Sequence, residues 1–535
     1  MNIVDMEPMQ IPRLLGEVTP SFCVDDCIAS YVNYMGGTYE YMYFDTLNIK
    51  IDLKKCKDLG VGKSIEDGSH IEENLARYAG LTRKMVAVEI DQALKIIQEE
   101  LKEGRPVALN MEGTQCPWDW RYHTGIPGGH EFYLVGYHSK ENRYDCVDPY
   151  YNKKGVLLTE EQLRAGYRSI VTNQYQQPEK IDALTVLKDR LNKLHANNYA
   201  NLLYDLAEVV KDHFVLEKEV ENYDPQEELT FDTIQNRLYL NQSFRMVIHN
   251  KARFATLLLR LSKEEPRYGA LFQEKAKEVL VLSKKWDSLH LMMSKKIVAR
   301  KQDGLADYLY KKIVSIASDE QEFIQGFIDE LEHQTTNITE NRPLQVENDE
   351  VLEAHYIDLK PFFNNEGIGI EDSKVADFNN NGEYFLAGTV PSGLLKEKKG
   401  ISFQMADKVV STPDNIACSK QNISVVCDSY KELLILGCSE WGRHCDHGQI
   451  QFEDGSSMKV LLDMEEWVPK MQYAMPENIY KTCQKVVVVG NGKVVDEEDC
   501  YLYYYRFAID ATKKVTNIIL PECANMHIFA MTLIK

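Results

Sequence analysis

The sequence lacks any long hydrophobic run. A membrane-spanning helix needs about 20 successive apolar residues, whereas the strongest apolar runs here are short, such as residues 255–259 and 486–489. The opening MNIVDME also lacks the basic start and the apolar stretch of a secretory signal. We therefore predict a cytoplasmic protein with no membrane partner.

Positive charge and nucleotide-binding motifs are scarce as well. Lys and Arg number 61 against 82 Asp and Glu, which leaves a formal net charge of −21. A surface this acidic repels phosphate backbones, so we expect no nucleic-acid partner. The chain has no G-x-x-x-x-G-K-[ST] phosphate loop, which argues against nucleotide binding.

Cysteine is too sparse to form a disulfide scaffold, with 12 in a chain of 535 residues. A chain without a secretory signal is expected to keep its thiols reduced. Each cysteine is then either a small buried hydrophobe, which is the common case, or a reactive thiol. Only the neighbouring sequence distinguishes the two.

The residues that are present fall into three segments. Residues 1–178 alternate helix-like and strand-like runs, residues 179–333 follow a helical period, and residues 350–535 carry short strands between turn residues. The polar stretch 334–349 resembles a linker. The pattern predicts an α+β multidomain protein with a mixed first domain, a helical bundle and a carboxyl-terminal antiparallel β-sandwich.

A helix is expected soon after Pro20. Its apolar residues recur at helical spacing, and Gly36 and Gly37 end the pattern. Ser21 is the expected N-cap, which puts Cys23 in the first turn. At that position unpaired N–H groups and the helix dipole favour a thiolate, and the N–H of Cys23 can help to stabilise an oxyanion.

Two later strands supply a candidate base and a candidate acid. His130 opens a strand over residues 131–137, and Asp148 closes one over residues 143–147. A hairpin between them pairs Tyr137 with about Tyr144 and leaves Asp148 two or three positions from direct opposition to His130. Cysteine chemistry needs such a base and a group that orients it.

The order of these motifs resembles papain-like cysteine enzymes. Cys23 is followed by Gly36, by RPVAL at residues 105–109, by GH at 129–130 with VGY at 135–137, and by VDP at 147–149. The segment is similar to the amino-terminal domain of the butirosin biosynthesis protein H family. More distantly, it is similar to the peptidases that process double-glycine bacteriocin leaders. The resemblance covers roughly residues 12–170.

The resemblance implies a function and a set of roles. In the butirosin-type family, the domain moves an acyl group from a carrier-protein thioester to an amine. Carried over by position, Cys23 is the nucleophile, His130 the base and Asp148 the orienting acid. We therefore expect an amide-forming acyltransferase of natural-product biosynthesis, of the nonribosomal peptide or polyketide type. Its expected partners are an acyl or peptidyl carrier protein and a small amine, with no metal and no cofactor beyond the phosphopantetheinyl arm of the carrier.

Two other functions stay open at this point. A cysteine peptidase or amide hydrolase would use the same three residues. A non-catalytic binding or scaffold protein would keep the fold without the activity, with the sandwich recognising a glycan or another partner. In the preferred function, the helical bundle is expected to act as a lid and as a docking surface for the carrier.

The sequence departs from the peptidase pattern near the cysteine. Those enzymes carry a glutamine about six residues upstream to complete the oxyanion hole, whereas this chain has Glu17. Gln10 lies further upstream and Gln115 on a separate loop, so the second oxyanion donor stays unassigned. Asp25 and Asp26 disfavour a thiolate beside them unless they point away or bind a cationic amine.

Several nearby residues have alternative interpretations. Cys27 is expected to be a core thiol on the apolar side of the helix. His123 is the alternative base, although His130 leads directly into the strand that pairs toward the acid. Three aromatic residues of one loop are candidates for lining an acyl pocket, or for filling the domain core: Trp118, Trp120 and Tyr122.

Two features outside the first domain attract attention. Soft metal ligands cluster at Cys438, His444, Cys445 and His447, but the paired C-x2–4-C spacing of a zinc site is missing. We interpret the cluster as coincidental. The basic run 284–301 has five Lys and one Arg against a single acid. It is expected to be a solvated helix face or, alternatively, a docking surface for an acidic carrier protein.

Overall fold

The computed structural model describes residues 3–15, 23–333, 353–371, 373–396, 401–407, 412–468, 478–489 and 492–535. It confirms the predicted fold class, with a mixed α+β amino-terminal domain, a helical middle and a carboxyl-terminal β-sandwich. The predicted linker 334–349 lies outside the described residues. Within the described ranges, no helix is both long enough and apolar enough to cross a bilayer.

The amino-terminal domain is built around an antiparallel sheet of strand order β3-β8-β4-β5-β6-β7. Its elements are α1 (Cys23–Tyr34), β1 (Ile49–Ile51), α2 (Leu53–Leu59), β2 (Ile65–Asp67), α3 (Ile71–Tyr78), β3 (Leu81–Val86), α4 (Ile90–Lys102), β4 (Val107–Glu112), β5 (Gly129–His138), β6 (Arg143–Asp148), β7 (Lys153–Thr159), α5 (Glu160–Gly166) and β8 (Tyr167–Tyr175). The sequence predicted α1, α4 and β4–β6, but not the β3, β7 and β8 strands that widen the sheet.

The end of α1 follows from its glycines. Gly36 takes a φ of 76°, a left-handed conformation that residues with a Cβ rarely adopt. The N–H of Gly37 then bonds the carbonyl of Val32 at 2.9 Å and satisfies one of the last carbonyls of the helix. Ser21, the expected N-cap, lies in the stretch 16–22 outside the described residues.

Each face of this sheet has its own core. Tyr133 and Val147 belong to a cluster that includes the apolar side of α1. Phe132 and Cys146, which point the other way, pack with α4. Because successive side chains of a strand alternate between faces, the hairpin β5–β6 contributes to both cores.

The helical middle consists mainly of long helices. These are α6 (Ala183–Ala196), α7 (Tyr199–His213), α8 (Leu216–Glu219), α9 (Phe231–Arg237), α10 (Tyr239–Glu264), α11 (Gly269–Val298) and α12 (Leu305–His333). The break predicted at Pro266 is a short 3-10 turn, Pro266–Tyr268, between α10 and α11. Proline suits the first position of such a turn because it has no N–H to donate.

The helical region shares one apolar core with the α1 side of the sheet. The same cluster of buried side chains runs from Ile28 in α1 through Phe244 in α10 to Phe327 in α12. A contact between regions that is large and apolar keeps them fixed relative to each other. The expectation that the helical region acts as a lid does not fit this arrangement, and the helical region instead supports α1.

The carboxyl-terminal region is a sandwich of a large sheet, in the order β10-β11-β19-β20-β16-β22-β14, and a smaller one, β15-β21-β17-β18. Its strands are β9 (Ala354–Tyr356), β10 (Ile368–Gly369), β11 (Tyr384–Leu386), β12 (Gly393–Lys396), β13 (Ser402–Met405), β14 (Ile416–Ala417), β15 (Asn422–Ser429), β16 (Glu432–Ser439), β17 (His444–Phe452), β18 (Ser457–Met464), β19 (Ile479–Val489), β20 (Gly492–Ala508), β21 (Lys514–Ile519) and β22 (Met526–Ile534). The predicted strand 485–495 is divided between β19 and β20.

The basic run 284–301 lies against the sandwich. Lys284 pairs with Asp463 at 2.5 Å, and Lys285 contacts the Nδ1 of His447 at 2.7 Å. Lys295 is buried and pairs with Glu440 of the sandwich. Both expectations for this run, a solvated face and a carrier-docking surface, are therefore wrong for these lysines, because the sandwich already covers them.

Candidate active site

Cys23 is the first residue of α1 and is half-buried. The N–H groups of the first turn of a helix have no partner within the helix, and the dipole adds partial positive charge there. The side chain of Cys23 hydrogen-bonds His130. A thiol at a helix amino terminus and against an imidazole has the surroundings of a nucleophile.

A register shift in the β5–β6 hairpin controls where Asp148 points. Tyr137 pairs with Tyr144, as predicted, but the register shifts between Leu134 and Gly136, so that Tyr133 pairs with Val147. Such a bulge adds one residue to one strand. Every side chain beyond it then lies opposite a different partner from the one that an unbroken hairpin would give.

The shift places Asp148 and His130 on the same face of the sheet. Continuing the shifted register puts Asp148 opposite Phe132, two residues from His130 and therefore on its face. Without the shift Asp148 would lie opposite Tyr133 and point to the other face. The two side chains meet in the structure, with 2.6 Å between His130 Nε2 and Asp148 Oδ2.

His130 is buried and held between partners. Because Nε2 contacts Asp148, the ring nitrogen left for Cys23 is Nδ1. Burial lowers the pKa of His130, but the hydrogen bonds to Asp148 and then to Cys23 outweigh this effect and raise the pKa to about 10. The imidazole is therefore protonated at neutral pH and offers Cys23 a cationic hydrogen-bond donor.

Asp148 accepts hydrogen bonds from more than the imidazole. The indole Nε1 of Trp118 donates to Oδ2 at 2.6 Å, and the backbone N–H of Tyr151 donates to Oδ1 at 3.2 Å. Asp148 is fully buried, and a buried carboxylate needs such donors. They hold the carboxylate toward His130.

Aromatic rings surround the imidazole. The ring centroid of His130 lies 5.6 Å from that of Phe132, 5.9 Å from Tyr150 and 5.4 Å from Tyr151. Only 2% of His130 is exposed. This enclosure limits the access of water to the base.

The acidic residues beside Cys23 are paired within the protein. Asp25 receives a two-point contact from Arg253. Asp26 receives one from Arg13 and also accepts the N–H of Ile11 at 2.8 Å. Both carboxylates are buried. The suggestion that they bind a cationic amine substrate is therefore wrong, since arginines of the chain hold them.

The alternative thiol and the alternative base occupy different surroundings. Cys27 is fully buried, its thiol lies 3.4 Å from the carbonyl of Glu131, and burial raises its pKa well above the ordinary value. His123 is exposed and its ring lies 3.7 Å from that of Tyr122. The structure thus brings His130, and not His123, to Asp148.

The three aromatic residues predicted to line a pocket have three different environments. Trp118 binds Asp148 and packs edge-on against Phe132, so sequence reasoning missed its part in holding the acid. Trp120 is 62% exposed, and Tyr122 lies against His123. These contacts do not form a shared acyl pocket.

The contacts of the two candidate glutamines do not identify the second donor of the oxyanion hole. Gln10 donates its side-chain amide to the carbonyl of Tyr150 at 2.6 Å, and Gln115 lies beside Gly166 of α5. Residue 17 belongs to the stretch outside the described residues.

The candidate metal ligands of the sandwich each contact a different partner. His444 Nε2 lies 3.0 Å from the carbonyl of Glu440, and His447 contacts Lys285. Cys438 belongs to the core of the large sheet. In the part of the chain that the structure describes, no three His, Cys, Asp or Glu side chains converge as metal ligands.

Two family models match separate parts of the chain. The model of the Peptidase_C39 like family matches residues 18–177, and that of the AziU2-like beta-sandwich domain matches residues 353–535. No curated protein matches the chain. The amino-terminal domain thus has a C39-like, papain-like cysteine-enzyme fold, and the matched segment contains Cys23, His130 and Asp148.

Proposed function

We propose that this protein is a cysteine-dependent acyltransferase that moves an acyl group from a carrier-protein thioester to a small amine. The observation that supports it is the continuous chain of contacts from Cys23 through His130 to Asp148. The butirosin-type resemblance adds the thioester donor and the amine acceptor. The reaction needs no metal and no cofactor of its own, because the thioester on the phosphopantetheinyl arm is already activated.

The first half-reaction loads the enzyme. The thiolate of Cys23 attacks the thioester carbonyl and forms a tetrahedral intermediate, whose oxyanion the N–H of Cys23 helps to stabilise. The carbon–sulfur bond to the carrier then breaks. The departing thiolate takes the proton of His130, which leaves acyl-Cys23, a neutral imidazole and a free carrier thiol.

The second half-reaction forms the amide. The amine attacks acyl-Cys23, and His130 accepts the proton that the nitrogen loses. The carbon–sulfur bond breaks, and the thiolate–imidazolium pair is restored. Transfer rather than hydrolysis requires that water be kept from the acyl-enzyme until the amine arrives. Burial of His130 among aromatic rings disfavours the activation of water by this base. We assign the reaction to the cytoplasm, a compartment that keeps a nucleophilic thiol reduced.

Intact mass spectrometry after mixing with an acylated carrier protein tests this function. The wild-type chain should gain the mass of the acyl group, and addition of an amine should remove it and yield the amide. Cys23→Ala should gain no mass. Cys27→Ala is the matched control, since it removes a buried thiol one turn further along α1, and it should still be acylated.

A peptidase or amide hydrolase is the second candidate, favoured by the peptidase family that the domain matches. It would use the same residues but would cleave a peptide and release a carboxylic acid. An acyl adduct that water discharges while amines leave it unchanged would support the hydrolase and overturn the transferase.

A binding or scaffold protein is the third reading. In that case Cys23 would react with iodoacetamide near pH 6 no faster than Cys427, the exposed thiol of the sandwich. We expect Cys23 to react faster, because the thiolate and not the thiol is the nucleophile.

A further inference from the structure

An arginine of the helical region reaches the first turn of the helix that carries Cys23. Arg253 of α10 donates from Nε to Asp25 Oδ2 at 2.8 Å and from its NH2 group to Oδ1 at 2.9 Å. The hydroxyl of Tyr43 donates to the same carboxylate at 3.1 Å. This two-point pairing is the geometry that an arginine fork makes with a carboxylate.

The arginine is itself held in place. Its NH1 group donates to the side-chain oxygen of Asn250 at 2.9 Å, and the amide of Asn250 donates to Asp67 at 3.0 Å. Burial lowers the pKa of Arg253, but the charge and hydrogen bonds of Asp25 outweigh it and raise the pKa above the ordinary value. Arg253 therefore carries a full positive charge at this site.

The charge of Asp25 matters because it lies two residues after Cys23. A carboxylate in the same turn repels a thiolate and opposes the effect of the helix amino terminus. Arg253 cancels this repulsion from a position 228 residues further along the chain. The negative charge of the neighbouring Asp26 is offset in the same way by the guanidinium of Arg13.

We propose that Arg253 is a positioning residue for Cys23, so that the helical region, by neutralising Asp25, sets the reactivity of a thiol in another domain. This inference rests on the proposed function only in taking Cys23 as the nucleophile. The shared apolar core holds α10 against this part of the amino-terminal domain. Arg253 then supplies, from the helical region, the positive charge that pairs with Asp25.

The other charged groups around this turn are identified by their contacts. His130 faces Cys23, and Arg121, paired with Asp119, also acts on Cys23 electrostatically. His249 lies one turn before Arg253, and burial followed by the charge of Arg253 lowers its pKa to about 4. It is therefore neutral above that pH and does not compete with Arg253.

The test measures the rate at which iodoacetamide alkylates Cys23 between pH 5 and pH 9, read by mass spectrometry of its peptide. Arg253→Met should slow the reaction at pH 6 about tenfold, which corresponds to a profile moved about one unit to higher pH. Asp25→Asn should act in the opposite direction, because it leaves the arginine beside Cys23 without its carboxylate. The double variant should return close to the wild-type profile.

Opposite signs distinguish this role from a purely structural one. If the pair only held the fold together, both single variants would slow or scramble the reaction in the same direction, and that result would overturn the proposal. Loss of fold is visible in the same spectra, since buried Cys27 reacts only in unfolded protein. Rates are compared for protein in which Cys27 stays unmodified.

A matched control comes from the same helix. Arg245→Met removes another arginine of α10, one that donates to the carbonyl of Gln235, and it should leave the alkylation profile of Cys23 unchanged. The readout needs no acyl donor. If acyl transfer fails but the opposite shifts appear, the proposed function is wrong and this inference stands; if acyl transfer is found without them, only this inference fails.

Discussion

Among the residues that the structure describes, two contacts join a buried imidazole to a buried carboxylate, one in the first domain and one in the sandwich. His130 Nε2 lies 2.6 Å from Asp148, and His527 Nε2 lies 3.4 Å from Glu440. The pKa of His130 is raised to about 10, while burial lowers the pKa of His527 below its ordinary value despite the hydrogen bond to Glu440. The two histidines therefore differ in protonation although each contacts a buried carboxylate.

The difference comes from the charges that complete each cluster. In the sandwich, Lys295 of α11 pairs with Glu440 and also donates to Asn525 at 3.0 Å. The lysine compensates the carboxylate and repels a proton on His527. In the first domain the additional partner is Cys23, which as a thiolate favours the imidazolium. A buried His–carboxylate pair suggests catalysis only where a nucleophile faces the imidazole.

The largest expected effect separates the two histidines by activity. His130→Ala should lower the rate of acyl transfer by about a thousandfold or more, because a member of a cooperating triad is lost. His527→Ala should leave the rate per folded molecule unchanged. Rates are measured with an acylated carrier protein and normalised to protein that is still folded. A large loss with His527→Ala would mean that the sandwich takes part in the reaction.

The next effect concerns stability. Lys295→Met leaves Glu440 buried without its cation and should lower the free energy of unfolding by about 3–5 kcal/mol, as measured by urea denaturation. Lys459→Met is the control, because Lys459 is largely exposed beside Glu322 and such pairs contribute about 1 kcal/mol at most. Equal losses from both variants would contradict a structural role for the buried lysine.

The pH dependence of stability should differ between the two regions. His130 binds its proton more tightly in the folded chain than in the unfolded one, and this difference stabilises the fold. The stabilisation is complete below pH 6.5, the ordinary pKa of histidine, and is lost as the pH rises toward about 10. His444 behaves in the opposite way. Its pKa is lowered to about 4 by burial, so its contribution is present above pH 6.5 and is lost as the pH falls through about 4.

Hydrogen exchange followed by mass spectrometry can read the regions separately. Protection of β5 and β6 should fall on the alkaline side, and protection of β16 and β17 on the acid side, with a change of about 3 kcal/mol for His444. Loss of protection in both regions at the same pH would show that another titration dominates. The His444→Asn variant should weaken the acid response alone.

The smallest expected effect tests the indole that holds Asp148. Trp118→Phe keeps the ring that packs on Phe132 but removes the N–H donor. With one donor fewer, Asp148 binds the His130 proton more strongly. The rate should fall about tenfold, and the alkaline limb of the pH–rate profile should move to higher pH. Trp120→Phe, in the same loop but exposed, should change neither.

Local sequence patterns were sufficient for part of the site. The helical spacing before Gly36 predicted α1 with Cys23 in its first turn, and the polar stretch 138–142 predicted the hairpin with Tyr137 opposite Tyr144. The bulge was not predicted, because a single glycine inside a strand, here Gly136, is compatible with a bulge and with a regular strand and does not decide between them. Its effect on Asp148 was therefore invisible from spacing.

The sequence by itself determined the succession of a mixed domain, a helical region and a β-sandwich, because hydrophobic periodicity and turn residues act over short distances. Only the tertiary structure decided the partners of the charged residues. Arg253 meets Asp25, and Lys295 meets Glu440, across long separations in the chain. Such pairings depend on how packed helices and strands place a few atoms within hydrogen-bond reach, and no local pattern encodes that distance.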